Sequence, residues 1–499
     1  MAKQSDETHV RLEKLEALRR QQAPPYGGAF ARTGTLHNVA SGYADGKAVS
    51  AAGRLSAKRG HGGLTFADLR DASGKLQICV RQERVGETAY ALFDTLDLGD
   101  ILGVAGTLFK TKTGEITVLV DQLTLLAKAL RPLPEKWHGL KDVATRYRQR
   151  YLDLIANEPV RQVFMQRSRL LASLRVTLER EGFFEVETPM MHRIPGGAAG
   201  EPFVTHHKAL DLELSLRLAP ELDLKKLLVG GYDRVYELNR SFRNEGLSTQ
   251  HNPEFTMLEA YAAYEDYRFM MRLVETLICD AAQALGVGLQ CEFRGQLVDL
   301  SPPWERVSFA QSMRDMGLAP NAPLPDMQAV LERRGMTVKG LTRSQMVRVV
   351  EQVFEPGTRT KPLFVTDYWT ELSPLAKAKA DDPQIAERFE LFIGGMEVAN
   401  AYSELNDPIE QRKRFEAQLD QAPGSRLKAG GKEPSGLEPR ASSLERRIDE
   451  GFLEALEYGM PPATGLGIGV DRLAMLLLNQ PSIKDVILFP LLKPESDNA

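Results

Sequence analysis

Cysteine is scarce in this sequence. Cys79, Cys279 and Cys291 are the only three in 499 residues, too few and too far apart for a disulfide framework or a CxxC metal site. They read as buried thiols of a chain kept in a reducing compartment. Long apolar runs are also missing, and no stretch approaches the roughly 20 residues of a membrane-spanning helix. The opening residues, MAKQSDETHV, lack the apolar segment of a secretory signal. The expectation is a cytoplasmic protein with no membrane contact. Charge of one sign is not in excess either. The formal net charge of −4 argues against a simple nucleic-acid coat, although a local basic patch can outweigh the total.

What is present is ordinary globular composition, 43% hydrophobic and 26% charged, in a chain too long for one core. Residues 7–22 place Val10, Leu12, Leu15 and Leu18 at helical spacing, and APPYGG ends that helix. Residues 1–47 are therefore a helical N-terminal extension. Over 48–130, the runs AVSAAGRL, LTFADLRD, KLQICVRQ, DILGVAGTLFKT and EITVLVDQLTLL alternate apolar with polar residues between Gly-containing turns. Five such strands predict a small β-barrel compatible with an OB-fold, whose open face binds single-stranded nucleic acid.

Residues 131–150 carry six Lys or Arg against two acids, a stretch that either tracks a phosphate backbone or is a solvated linker. From 151 to 499, helices and strands follow no βαβ rhythm. That predicts an α+β domain with an antiparallel sheet flanked by helices. Residues 421–443, rich in Gly, Pro, Ser and charge, are expected to be a mobile surface insertion.

Chemistry concentrates in RVYELNRSFRNEGLSTQHNPEFTMLEAYAAY. Alternation places Glu237, Asn239, Ser241, Arg243 and Glu245 on one face of a strand. Phe255, Met257, Glu259 and Tyr261 share a face of the next. The first set is expected to face water or a ligand. An arginine that grips phosphate, an acid, an imidazole (His251) and an aromatic plate suit a nucleotide. A solvated strand face is the alternative. In GLGIGVDRLAMLLLNQ, Gly465, Gly467 and Gly469 share a strand face, which marks close approach by a ligand or another backbone. Arg472 then opens an apolar helix.

These stretches resemble the signatures of class II aminoacyl-tRNA synthetases. Arg243, Glu245, His251 and Phe255 match the second signature, GLGIGVDR the third, and GFFEVETPM, through Pro189, the first. RPLPEKWHGLKDVATRYRQRYLDLI, LRLAPELDLKKLLVGG, RFELFIGG and YSELND extend the likeness to the bacterial lysyl-tRNA synthetases, from about residue 50 to the end.

The resemblance implies lysine activation by ATP and transfer to tRNA(Lys), with Mg²⁺ as cofactor and a homodimer formed through the first signature. It implies that Arg243 and Arg472 are catalytic. Arg243, Glu245, His251, Asn252, Phe255, Glu397 and Arg472 would bind ATP. Gly197, Glu221, Arg243, Glu259, Tyr261, Asn400, Tyr402 and Glu404 would bind lysine. Glu390 and Glu397 would hold the metal.

Strict alternation sets Glu397 on the face opposite Glu404, so a bulge near Gly394–Gly395 is needed to bring both inward. In the barrel, Arg54, Phe66 and Gln77 would read the anticodon. On its own, a phenylalanine in a barrel strand reads as core.

Gly200 and Glu201 stand where the family shows Ala-Arg, which bears on how tightly the site closes. Ala401 and Tyr402 replace Gly and Phe, and Lys208, Ser215 and Asp223 are unusual at the site's edge. An aspartyl-type enzyme predicts cationic side-chain contacts in place of these carboxylates. A protein-directed lysine ligase predicts no barrel. A catalytically dead RNA-binding relative predicts loss of Arg243, Glu245 or Arg472.

Overall fold

The computed structural model describes residues 2–133, 140–198, 200–354, 357, 360–420 and 448–494. The chain divides into two compact units, Met1–Arg161 and Gln162–Ala499. The expected insertion at 421–443 and residues 134–139 of the basic stretch lie outside the described residues.

In the first unit the helix Ala2–Arg20 turns Leu15 and Leu18 inward and leaves Val10 and Leu12 exposed. Only two of the four expected apolar positions are therefore buried. Arg11, buried beside them, donates from Nη1 to the carbonyls of Leu98, Ala129 and Arg131 at 3.1–3.2 Å.

The five apolar runs become β1 Ala48–His61, β2 Leu64–Asp71, β3 Gly74–Arg81, β4 Ile101–Lys110 and β5 Ile116–Ala127. They close into a barrel in the order β1-β2-β3-β5-β4. Only the β3–β5 pairing is parallel. Leu55, Leu69, Ile78, Val104 and Val118 fill the interior. A register shift between Leu55 and Ala57 bends β1 so that one long strand pairs with both β2 and β4. Part of the expected linker is helical: Val143–Arg148 and Arg150–Ala156 form two short helices, anchored by a buried Arg150–Asp153 ion pair of 2.6 Å.

In the second unit the strands are β6 Phe184–Glu185, β7 Met191–His192, β8 Val204–His207, β9 Leu212–Leu216, β10 Arg234–Phe242, β11 Glu254–Ala263, β12 Gln290–Phe293, β13 Gln296–Asp299, β14 Glu305–Ser308, β15 Leu363–Thr366, β16 Arg388–Ile393, β17 Met396–Ser403 and β18 Ala463–Gly469. Eight form one sheet, ordered β14-β15-β16-β17-β18-β11-β10-β6. Its six inner strands are antiparallel, as expected, and parallel pairs close both edges.

The helix Tyr267–Ala284 packs against one face of this sheet. Asp266 caps its N-terminus, accepting from the Arg268 and Phe269 amides, and Met270, Val274, Leu277, Ile278 and Ala281 form its buried stripe. The helix Val470–Leu477 and Leu170, Leu174 and Leu178 complete that layer. With the core on this side, the polar residues of the same strands are left on the other.

Candidate active site

Strand register builds the opposite face. Ser241, Asn239 and Glu237 of β10 pair with Phe255, Met257 and Glu259 of β11. Met257, Glu259 and Tyr261 then pair with Gly469, Gly467 and Gly465 of β18. Asn400 and Tyr402 of β17 lie across from Gly467 and Gly465, and Glu390 of β16 lies across from Asn400. Residues spread over more than 150 positions thus share one surface. The glycines make it concave. A Cβ at 465 would collide with Glu404 Oε1 and the Tyr261 ring, and one at 467 would come within 3.2 Å of Met257 Cε.

One end of the trough is a carboxylate cage. Glu221 opens the helix Glu221–Val229, and Tyr402 donates its hydroxyl to Glu221 Oε1 at 2.7 Å. Gly197, at a φ of +79°, lies so close that a Cβ there would sit 3.3 Å from Glu221 Cβ. Tyr261 donates to Glu259 Oε2 at 3.1 Å. Glu404 follows β17, and its Oε1 is buried with no hydrogen-bond partner among the described residues. Burial, reinforced by the Glu221 charge, pushes Glu259 up to about 8. Burial likewise pushes Glu404 up to about 8, against the pull of Lys225.

Lys225 is the feature sequence reasoning missed. It lies 2.7 Å from Glu221 Oε1, pairs with Glu404 Oε2, and its side chain is fully buried. In KKLL it reads as one of two surface lysines. The signal was available, because residues four apart share a helix face and Glu221 precedes it by four.

At the other end, the Arg243 guanidinium lies 5.2 Å from the centre of the Phe255 ring. Its Nε is buried without a partner among the described residues. Glu245 is exposed nearby, its amide bonded to the Arg243 carbonyl at 2.8 Å. Arg472 donates to the Glu397 carbonyl at 2.8 Å and to its Oε2 at 3.1 Å. It also lies 3.1 Å from His251 Nε2. Arginine can only donate, so Nε2 accepts and Nδ1–H points to Ser248 Oγ at 2.9 Å. Burial and the Arg472 charge lower the His251 pKa, which keeps the ring neutral. Asn252 is buried, donates to the Glu254 carbonyl at 2.6 Å, and leaves its Oδ1 without a partner among the described residues.

Glu390 accepts from the Tyr368 hydroxyl at 2.7 Å and pairs with Arg388. Burial, with a contribution from the Glu397 charge, pushes it up to about 7. Arg388 also donates to Asn400 Oδ1 at 3.2 Å. Glu397 reaches this face through a bulge, though not where it was expected. Gly394 and Gly395 form the hairpin turn, at φ of 57° and 77°. The extra residue is Val398, because Leu391 pairs with Ala399 while Phe392 pairs with Glu397. No group of three or more His, Cys, Asp or Glu suited to a metal ion exists among the described residues.

One expectation needs correction. The polar face of β10 does not all meet water or ligand: Glu237 is buried, accepting from Arg217 Nη1 at 2.7 Å and from Thr188 Oγ1 at 2.6 Å. Ala401 points into the core, so its replacement of a glycine does not alter the trough. Among the other departures, Asp223 pairs with His192 at 3.2 Å, Ser215 is buried, and the Glu201 carbonyl accepts from the Asn244 amide at 2.7 Å. In the barrel, Phe66 is half-buried and outside the core cluster, contrary to what a barrel phenylalanine alone suggests. Gln77 accepts from Thr117 Oγ1 at 2.9 Å, and Arg54 donates to the Gly99 carbonyl at 2.7 Å.

Residues 142–493 match the family of class II tRNA synthetases (D, K and N), and residues 49–126 match the OB-fold nucleic acid binding domain. The chain belongs to this synthetase family, as a ligase with an N-terminal OB-fold.

Within it, the chain is 51% identical over 492 residues to the lysine–tRNA ligase of Carboxydothermus hydrogenoformans, covering 97% of each. It is 49% identical to that of Moorella thermoacetica over 99% of both chains, and 46% identical to that of Listeria monocytogenes over 98% of both.

Proposed function

We propose that the trough activates L-lysine with ATP and passes it to the terminal adenosine of tRNA(Lys). The carboxylate cage carries this reading. Three buried glutamates, Glu221, Glu259 and Glu404, suit the two ammonium groups of lysine and would repel the side chain of aspartate. The unpartnered Glu404 Oε1 and Arg243 Nε each offer a hydrogen bond that the protein leaves unmade.

In the first step a lysine carboxylate oxygen attacks the α-phosphorus of ATP, and the bond to the β-phosphate oxygen breaks to release pyrophosphate. In the second, a ribose hydroxyl of the tRNA end attacks the lysyl carbonyl carbon, loses its proton, and displaces AMP. Neither step needs a nucleophile from the protein, whose role is positioning and charge neutralisation.

Glu221 and the Gly197 carbonyl hold the α-ammonium. Glu404, Tyr261 and Glu259 hold the ε-ammonium, while Asn400 and Tyr402 line the space between. Arg243 takes the carboxylate and α-phosphate, and His251 and Arg472 take the outer phosphates. Phe255 stacks on adenine, Glu245 accepts from its amino group, and Asn252 stiffens the loop.

Glu390 and Glu397 are hard oxygen donors whose mutual repulsion a cation relieves. They fit Mg²⁺ completed by phosphate oxygens and water, which would neutralise phosphate charge. Arg54, Phe66 and Gln77 are the anticodon contacts of the barrel. The chain works in the cytoplasm as a homodimer without membrane contact, and no helix among the described residues is long and apolar enough to span a bilayer.

Amino-acid-dependent ATP–pyrophosphate exchange tests the reading. Lysine should support exchange, and arginine, aspartate and asparagine should not. Arg243→Ala should lower the rate at least about 100-fold. Exchange with aspartate, or with no amino acid, would overturn it.

A further inference from the structure

One corner of the cage already holds a cation of the chain's own. A fully buried lysine carries a large desolvation penalty unless its charge is matched. Lys225 is matched twice, by Glu221 Oε1 at 2.7 Å and by Glu404 Oε2. The rings of Tyr402 and Phe452 lie 5.6 and 6.0 Å from its Nζ. The surrounding titratable groups are Glu221 on the same helix, Glu259 and Tyr261 on β11, Tyr402 on β17 and Glu404 just beyond β17.

A charge count follows. When bound ammonium groups draw all three carboxylates into their ionised form, they carry three negative charges and Lys225 leaves two, the number that two ammonium groups neutralise. The contacts also fix geometry. One ammonium clamps Glu221 to Glu404, the two carboxylates assigned to opposite ends of the substrate. It leaves Glu404 Oε1 unpartnered over Gly465, facing Tyr261.

We propose that Lys225 is a specificity-determining positioning residue. Its ammonium fixes the Glu221–Glu404 separation and sets the cage charge to accept a substrate with two ammonium groups at the spacing of lysine. The proposal rests on the reading of the substrate given above.

Without Lys225, ionising all three carboxylates around the substrate would leave one negative charge unmatched in a dry cage, and one carboxyl would keep its proton. A neutral acid holds an ammonium poorly, and the unclamped pair would no longer measure chain length. The charge acts on substrate binding, so its loss should fall on KM and spare kcat.

The test is exchange with lysine and with ornithine, one methylene shorter, in the parent chain and in Lys225→Met, Lys225→Gln and Lys225→Arg. Removing one partner of a buried charge pair should raise the lysine KM at least about 30-fold. kcat should stay within about threefold. The preference for lysine over ornithine should fall about tenfold, the discrimination that one methylene provides. Lys225→Arg, which keeps the charge, should recover most of the lost affinity.

An unchanged KM and preference in Lys225→Met would overturn the proposal, as would a loss confined to kcat. If neither Lys225→Met nor Lys225→Gln folds, the charge serves the fold and the proposal also falls. A parent chain inactive with lysine fails differently: it sinks the substrate reading itself, whatever the variants do.

Discussion

Gly465 does its work by lacking an atom. Its missing Cβ is the space that Glu404 Oε1 and the Tyr261 ring occupy. Gly465→Ala must therefore displace one of them in a close-packed setting, and overpacking of this kind costs about 1–3 kcal/mol. The expected result is a lysine KM raised about 5- to 140-fold, with little change in KM for ATP, whose proposed contacts lie at the far end of the trough. Steady-state exchange measured against each substrate separates the two.

Glu259 gives a second consequence at this scale, through protons. In the folded chain its carboxyl is raised from 4.5 to about 8. Below pH 4.5 it is protonated in both folded and unfolded chains. Between 4.5 and about 8 only the folded chain retains the proton, so its contribution to stability is lost as pH rises through that window. A bound ammonium favours the ionised form. Lysine Kd measured by calorimetry should therefore fall from pH 6 to pH 8, by at most about tenfold per unit for one proton. Affinity that weakens over this range would contradict the assignment.

At the scale of elements, the bulge at Val398 decides what β17 presents. Glu397→Ala removes the carboxylate that this bulge brings to the trough face and leaves the pairing of residues 399–403 with β18 in place. Arg472 would lose its partner at Oε2, 3.1 Å away. Exchange should fall at least about 100-fold. Lysine binding, which depends on Asn400 to Glu404, should stay within about threefold by calorimetry, since distant sites act independently.

This bulge also marks how far the sequence could be read. Alternation set Glu259 with Tyr261, Asn400 with Tyr402, and the three glycines together, each group on one face of its own strand, because a period of two fixes the face once strands are recognised. It showed that Glu397 needed an irregularity but could not locate one, since a bulge is a property of two paired strands. Register between β11, β17 and β18 joins segments about 200 residues apart, and no local pattern reports it. Lys225 and Glu237 were missed for a related reason. Their burial depends on partners far along the chain, Glu404 and Arg217. A charged residue reads as solvated until its partner is known.

At the scale of the whole molecule, the open edge of the large sheet is the remaining question. β6 has two residues and, among the described residues, pairs only with β10. Its Phe184 is 60% exposed and stacks on Tyr232, 46% exposed, with ring centres 6.0 Å apart. Val176 on the long helix Glu158–Arg180 is 63% exposed. Aromatic and aliphatic groups left in water beside an unpaired strand are an association surface or an aggregation hazard. They fall around the GFFEVETPM signature, which the family resemblance assigns to a dimer contact. Burying them against a second copy removes the apolar area and the open edge together, and two-fold symmetry lets one patch serve both partners. The parent chain should therefore sediment near twice its 55.5 kDa. Phe184→Glu would put a charge at that edge, and an unpaired buried charge costs several kcal/mol. The expected outcome is a shift to the single-chain mass at micromolar concentration, with the thermal transition of the barrel kept. A parent chain that sediments as an active monomer would remove the homodimer from the proposed function and leave the trough chemistry untouched.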